Sequence, residues 1–241
     1  MEFKTEAIVL KAVDYKENDR LLTLFTPSRG KLLATIRGVR KPKAKLNFAA
    51  QPFCFSEYVL AERAERYTIV NAYLYDGFFP LRADIGRYYA ACTLLEICDA
   101  LLVEDNGNEG FFVAAAEGLK ALAHGEGNEA DALLSFALAA LRESGYMLDL
   151  DGCGVCGGEI GNGAYFDFGA GCFTCAECAS GVRASESTYQ TLRKAAGLTF
   201  EEGKLEGGRK RALRLINAYL AEKTERDYPC FGEFIRLFSE P

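Results

Sequence analysis

The 241-residue chain has no tryptophan, one histidine (His124), two methionines and six prolines. A single histidine leaves no room for a Ser/His/Asp set, and no P-loop or separable carboxylate pair stands in for one. The sequence therefore points away from an enzyme. No apolar run approaches the ~20 residues needed to cross a bilayer, and no basic start leads into an apolar export signal. These absences predict a chain that stays in the cytoplasm and makes no membrane contact. The most telling absence is of one sign of charge. Between Arg20 and Ser56 there is no Asp or Glu, yet Arg20, Arg29, Lys31, Arg37, Arg40, Lys41, Lys43 and Lys45 all fall there.

The net charge of −6 argues on its own against a polyanionic partner, but its distribution argues otherwise. Residues 1–82 hold fourteen Lys/Arg against nine Asp/Glu; residues 83–182 hold three against sixteen; residues 183–241 hold eleven against nine. Such asymmetry predicts separate surfaces for separate partners. An acidic middle repels nucleic acid and leaves its helices as solvated faces or protein contacts. In an extended strand Lys31, Leu33, Thr35 and Arg37 share one face while Leu32, Ala34 and Ile36 share the other. The second set fills a core. The first, with Arg29 before it and the loop residues Arg40, Lys41, Lys43 and Lys45 after it, forms a candidate track for a phosphate backbone. Phe48, Phe53 and Tyr58 nearby either fill the core or stack bases. Arg209-Lys210-Arg211 with Arg214 is either a second cationic patch or the polar face of a helix.

Nine cysteines carry the other signal. Cys153-x2-Cys156 and Cys175-x2-Cys178 are separated by eighteen residues, the spacing of a zinc ribbon or knuckle. Two residues between thiols let a tight turn aim both sulfurs at one point, and two such turns make a tetrahedral cage of four sulfurs suited to one structural Zn2+. Four protein ligands leave no open position for catalysis. Cys172 forms its own C-x2-C with Cys175 and is the alternative to Cys178 as fourth ligand; the outer pair is preferred because Cys175-Ala-Glu-Cys178 mirrors Cys153-Gly-Val-Cys156. Disulfides and a thioredoxin-like pair are disfavoured, since nothing suggests export and Gly152–Gly158 cannot hold a helix. Gly152 to Gly157 spells G-x-G-x-x-G, but with no strand before it and two thiols within it, it is not a dinucleotide fingerprint. Cys54, Cys92, Cys98 and Cys230 are expected to be buried free thiols.

Patterning predicts strands at Phe3–Val13, Arg20–Thr26, Lys31–Val39, Pro52–Leu60 and Arg66–Leu74, with turns at Pro27–Gly30 and Glu62–Glu65. Five short strands make a small barrel, of either the OB or the SH3-like kind. Helices are predicted at Ile85–Val103, Phe111–Ala123, Glu129–Ser144, Glu186–Ala196 and Arg209–Arg226, with a last turn or helix at Phe231–Phe238. The expected fold is α+β and multidomain: an N-terminal OB-fold β-barrel over 1–80, an α-helical domain over 81–147 and 183–241, and an inserted four-cysteine zinc module over 148–182.

Several stretches resemble one known family in order. Thr5–Lys11 and Asp14–Thr26 are similar to the opening strands of the RecO family. Gly30-Lys-Leu through Arg37-Gly-Val-Arg-Lys-Pro-Lys43 resembles its basic signature. Phe78-Phe-Pro-Leu-Arg-Ala-Asp84 resembles the junction into its helical domain, and Gly169-Ala-Gly171 before Cys175-Ala-Glu-Cys178 is similar to its second cysteine half-site. The resemblance implies a non-enzymatic, nucleoid-associated mediator of DNA repair by recombination in the RecF pathway. Such a protein binds single- and double-stranded DNA, anneals complementary strands, and works with RecR to load RecA onto DNA coated by single-strand-binding protein. The competing expectation is a zinc-ribbon protein-interaction adaptor that does not touch DNA.

Overall fold

The computed structural model describes residues 1–64, 66–161, 163–197, 205 and 207–238. Five strands come first: β1 (Glu2–Tyr15), β2 (Asp19–Thr26), β3 (Gly30–Ile36), β4 (Phe55–Arg63) and β5 (Arg66–Asp76). They close a barrel in the order β1-β2-β3-β5-β4, with β3 and β5 parallel and every other pair antiparallel. That closure is the OB-type arrangement, and it removes the SH3-like alternative. The last residue of the expected β4–β5 turn, Glu65, lies outside the described residues.

One long strand does two jobs. Glu2–Ile8 of β1 pairs with β4, and Ile8–Tyr15 pairs with β2, with a register shift between Val9 and Lys11 where the strand changes partner. At that crossing Ala7, Ile8, Val9 and Leu10 are all buried. Alternation sends Ala7 and Val9 into the barrel core and Ile8 and Leu10 into the core of the helical body. A strand buried on both sides reads as an unbroken apolar run. Phe25 of β2 leaves the barrel in the same way, packing edge-on against Phe111 and Phe112 at 5.3 and 5.2 Å.

The helical body comprises α1 (Ile85–Leu101), α2 (Glu109–His124), α3 (Glu129–Glu143), α4 (Glu186–Ala196), α5 (Arg209–Thr224) and α6 (Pro229–Leu237). Asp84, Asn108, Asn128 and Ser185 each cap a helix start by accepting a first-turn amide proton. α1 is apolar on most of its circumference and packs against α2, α3 and α6, as a central helix should. No helix among the described residues is long and apolar enough to cross a membrane. Cys54 and Cys98 are buried as expected, whereas Cys92 and Cys230 are only half-buried.

Between α3 and α4 lies a three-stranded sheet, β6 (Tyr165–Asp167), β7 (Cys172–Thr174) and β8 (Val182–Arg183), ordered β7-β6-β8. Phe166 and Phe173 are fully buried, 4.9 Å apart, and Phe166 meets Tyr219 of α5 at 5.7 Å. The sheet thus shares the core of the helical body.

The seam between barrel and helices tolerates little. Gly30 has φ +58°, and a Cβ there would stand 2.6 Å from the Val103 carbonyl oxygen and closer still to that of Asn106. Gly30→Ala is expected to cost about 2 kcal/mol, from strained φ and a clash with backbone that cannot give. Denaturant unfolding checks this; a loss below ~0.5 kcal/mol would mean the seam relaxes.

Candidate metal centre and cationic edge

The two cysteine turns are built alike. Gly157 N–H donates to the Cys153 carbonyl at 2.8 Å, and Ala179 N–H donates to the Cys175 carbonyl at 2.8 Å. Each closes a loop over one C-x2-C pair. A backbone bond from Gly154 N–H to the Phe173 carbonyl (2.9 Å) ties the first turn to β7. The sulfurs of Cys153, Cys156, Cys175 and Cys178 all lie within 4.8 Å of one another, and Cys156 Sγ and Cys175 Sγ are 3.8 Å apart. Zn–S bonds of about 2.3 Å in tetrahedral geometry need S···S edges of about 3.8 Å, so the donor set fits such an ion. Cys175 N–H points at Cys153 Sγ at 3.3 Å, the kind of bond that stabilises a thiolate. Backbone donors from Cys156 and Cys175 hold the Cys153 thiol down at about 6. Its neighbours work the other way on Cys178, pushed up to about 12 by hydrogen bonding with the Cys156 and Cys175 sulfurs. Four sulfurs this close cannot all ionise unless a cation offsets their repulsion.

Cys172 stands outside this group. It lies on β7 facing inward, with its sulfur against Gly154, where an added Cβ would meet it at 2.5 Å. The choice between Cys172 and Cys178 falls to Cys178 on geometry.

The expected cationic track divides into parts. Past β3 the chain makes three successive turns, with Lys41 N–H to Gly38 O (3.2 Å), Ala44 N–H to Lys41 O (3.1 Å) and Asn47 N–H to Ala44 O (3.2 Å). These turns carry Lys41, Lys43 and Lys45 outward, while Val39 is buried as the anchor. Gly38 N–H donates to Asp19 Oδ1 at 2.8 Å and Arg40 N–H to Asn18 O at 3.0 Å, fastening the loop to the β1–β2 turn. Arg37, Lys41, Lys43 and Lys45 are exposed and have no ion pair among the described residues. Lys16 of the β1–β2 turn joins Arg37 and Lys41 around a hollow of about 410 Å3 whose lining also includes the acidic Glu17 and Asp19. Sequence order hides its contribution, because the β1–β2 turn and the later loop are adjacent only after folding.

Of the other expected members, Arg40 stays on this loop with a carboxylate partner, whereas Arg29 and Lys31 sit elsewhere. Arg40 is exposed but bound to Asp14 at 3.1 Å, a carboxylate it shares with Arg20 (3.1 Å). Arg29 lies over the Phe3 ring at 4.7 Å, donates to Tyr67 Oη at 2.8 Å and approaches Glu62 at 3.8 Å. Lys31 does not reach solvent beside Arg37. It is ~20 Å away along the strand, and its ammonium is held in the seam by the Asp99 carboxylate (3.2 Å) and the Asp99 carbonyl. The outer face of a barrel is not always a wet face: at Lys31 it meets Asp99 of α1, while Leu33 on the same face stays exposed.

The stacking candidates also move. Phe53 and Tyr58 are core residues, with Tyr58 Oη donating to Ala49 O at 2.8 Å; Phe48 is half-buried. Tyr15, 44 % exposed, is an aromatic that does meet an exposed cation, with Lys16 Nζ 5.2 Å from its ring centre. In the C-terminal basic run Arg209 is buried, with Nε 2.5 Å from Asp131 Oδ1, so it belongs to no surface patch; Arg211 and Arg214 are exposed.

A closed OB-type barrel with a cationic edge, fused to a helical body that carries a four-cysteine cluster, defines the class. Residues 1–78 match the family model described as recombination protein O N terminal, and residues 82–229 match recombination protein O C terminal. Curated proteins named DNA repair protein RecO align with the chain. The one from Desulforamulus reducens is 36% identical over 196 residues, covering 79% of this chain and 76% of the relative. That from Myxococcus xanthus is 32% identical over 230 residues, covering 93% of each. The chain belongs to the recombination protein O family.

Proposed function

We propose that this chain is a non-enzymatic DNA-binding mediator of recombinational repair. The single observation that carries the proposal is the cluster of Arg37, Lys41, Lys43 and Lys45, exposed and free of ion pairs among the described residues, on a fastened loop in a stretch without carboxylates. Fixed cations at the edge of a barrel bind phosphates of single- or double-stranded DNA by releasing condensed counterions. By lowering repulsion between two strands they favour annealing. The acidic helices stay clear of DNA and leave surface for protein partners, RecR and single-strand-binding protein among them, through which RecA is loaded. One Zn2+ held by Cys153, Cys156, Cys175 and Cys178 supplies no chemistry to this process; it fixes the two cysteine turns. The expected setting is the cytoplasm, at the nucleoid.

Removing the four charges (Arg37→Ala, Lys41→Ala, Lys43→Ala, Lys45→Ala) is expected to weaken DNA binding about a hundredfold near 0.1 M salt. It should also flatten the dependence of log K on log salt by about 3. Fluorescence anisotropy with a labelled oligonucleotide across a salt series measures both. Affinity and slope like the wild type would remove the loop from the mechanism. Negligible binding by the wild type at physiological salt would favour the protein-interaction adaptor instead.

A further inference from the structure

Away from the barrel, an open groove of about 450 Å3 runs between the small sheet and helices α4 and α5. Its floor is apolar: Phe166, Phe168, Val182, Leu215 and Ala218. Three arginines stand on its rim, Arg183 from β8 on one side and Arg211 and Arg214, one helical turn apart on α5, on the other. All three are exposed, none has an ion pair among the described residues, and no carboxylate among them lines the groove. Unpaired guanidiniums over an apolar floor, in a chain of net charge −6, call for an anionic occupant with an apolar face.

We propose that this groove is a second single-strand nucleic-acid site, in which a base stacks on the Phe168–Leu215 floor while flanking phosphates meet Arg183, Arg211 and Arg214. This inference rests on the DNA-binding reading above and adds a site to it. A base has a flat apolar face and polar edges; a groove open along its length covers the face and leaves the edges in water. Guanidinium forks bind phosphate oxygens in pairs, which lysines cannot match. A duplex hides its base faces, so a site that holds a base by its face selects single strands. It also gives the four-cysteine module a role beyond its own fold, since β6 and β8 build one wall. A protein that brings two strands together gains from two separated cationic surfaces, the barrel edge holding one and this groove the other.

The experiment uses the full chain and three proteins: wild type, the barrel-edge variant described above, and Arg183→Ala/Arg211→Ala/Arg214→Ala. The three arginines are exposed, so circular dichroism and metal content should match the wild type. Binding of labelled oligothymidylate and of the same strand with abasic sites is measured, together with the rate of annealing of complementary oligonucleotides. In the wild type the abasic strand is expected to bind several-fold more weakly. In the groove variant that difference disappears, and annealing slows by tenfold or more while duplex binding is kept. A groove variant that anneals like the wild type and still discriminates abasic strands overturns the inference, and the barrel reading survives if only the barrel-edge variant is impaired. Loss of DNA binding in neither variant would sink the barrel reading as well. Tight, arginine-dependent binding of a synthetic acidic peptide bearing one phenylalanine, with no change in strand discrimination, would assign the groove to a protein partner and overturn the nucleic-acid assignment.

Discussion

Replacing Cys153 with serine, or stripping the metal with a chelator, is expected to have the largest effect of any single perturbation of this chain. Without a cation the four sulfurs within 4.8 Å must share protons, and Cys178 then holds its own tightly, pushed up to about 12 by the Cys156 and Cys175 sulfurs. Coordination replaces those protons and closes both cysteine turns at once. Structural zinc contributes on the order of 10 kcal/mol in small metallo-modules, and much of that is folding free energy. Its backbone pairing is short, since β6, β7 and β8 have three, three and two residues, so the cysteine turns depend on the metal more than on the sheet. The consequence spreads because Phe166 and Phe173 reach Tyr219 of α5 and Tyr189 of α4 at 5.7 and 5.1 Å. Hydrogen exchange should therefore show loss of protection in 148–183 and weakening in α4 and α5, with the barrel retained. Elemental analysis should find one zinc per wild-type chain and none in Cys153→Ser, whereas Cys172→Ser keeps it. Unchanged protection after complete chelation would show that the turns hold without metal.

Much of this architecture was legible in the residues, because local signals there agree with the tertiary result. Helix α4 runs from Glu186 to Ala196 as patterning predicts, with Ser185 as its cap and Gly197 at its end. Strands β3 and β4 follow apolar alternation, and the paired C-x2-C spacing brings four sulfurs together. The failures have one physical origin. Periodicity tells which side chains share a face but not what covers that face. Alternation puts Lys31 and Arg37 on one outer face, yet Lys31 meets helix α1 and Arg37, just past the end of β3, meets water. Arg209 and Arg211 are two residues apart; one is buried against Asp131 and the other rims a groove. β4 begins at Phe55, where Pro52 had suggested an earlier start, because residues 51–54 make a turn that places Phe53 in the core. The partner of Lys31 lies 68 residues away, beyond any window that reads charge as a local run.

Asp99→Ala is expected to cost about 3–5 kcal/mol, the second largest effect, because one carboxylate holds three cations from three parts of the chain. Asp99 lies near the end of α1 with its side chain only 13% exposed. It meets Lys11 of β1 at 2.8 Å, Lys31 of β3 at 3.2 Å and Arg226, beyond α5, at 3.4 Å. Lys31 is almost as deeply placed, at 15%. Removing the anion leaves that ammonium buried with only a carbonyl and places two lysines near each other without a counter-charge, while the Lys31 N–H to Val103 O bond (3.3 Å) keeps the strand in place. Denaturant unfolding of wild type, Asp99→Ala, Lys31→Met and the double variant gives the coupling directly. The double variant should regain much of the loss, since an apolar pair is no worse in such a seam than a salt bridge. Acid should act the same way. Burial pushes the Asp99 carboxyl up, but the Lys11 hydrogen bond and the Lys31 charge outweigh it and hold the group below the usual aspartate value. A folded group that titrates lower than the unfolded one contributes fully above about pH 4 and loses that contribution as pH falls through the folded value. The stability gap between wild type and Asp99→Asn should accordingly be wide at pH 7 and narrow as pH falls below the usual aspartate range. A gap that stays constant across that range, or an Asp99→Ala penalty under ~1 kcal/mol, would mean the Asp99 ion pairs do not help to join the barrel to the helices.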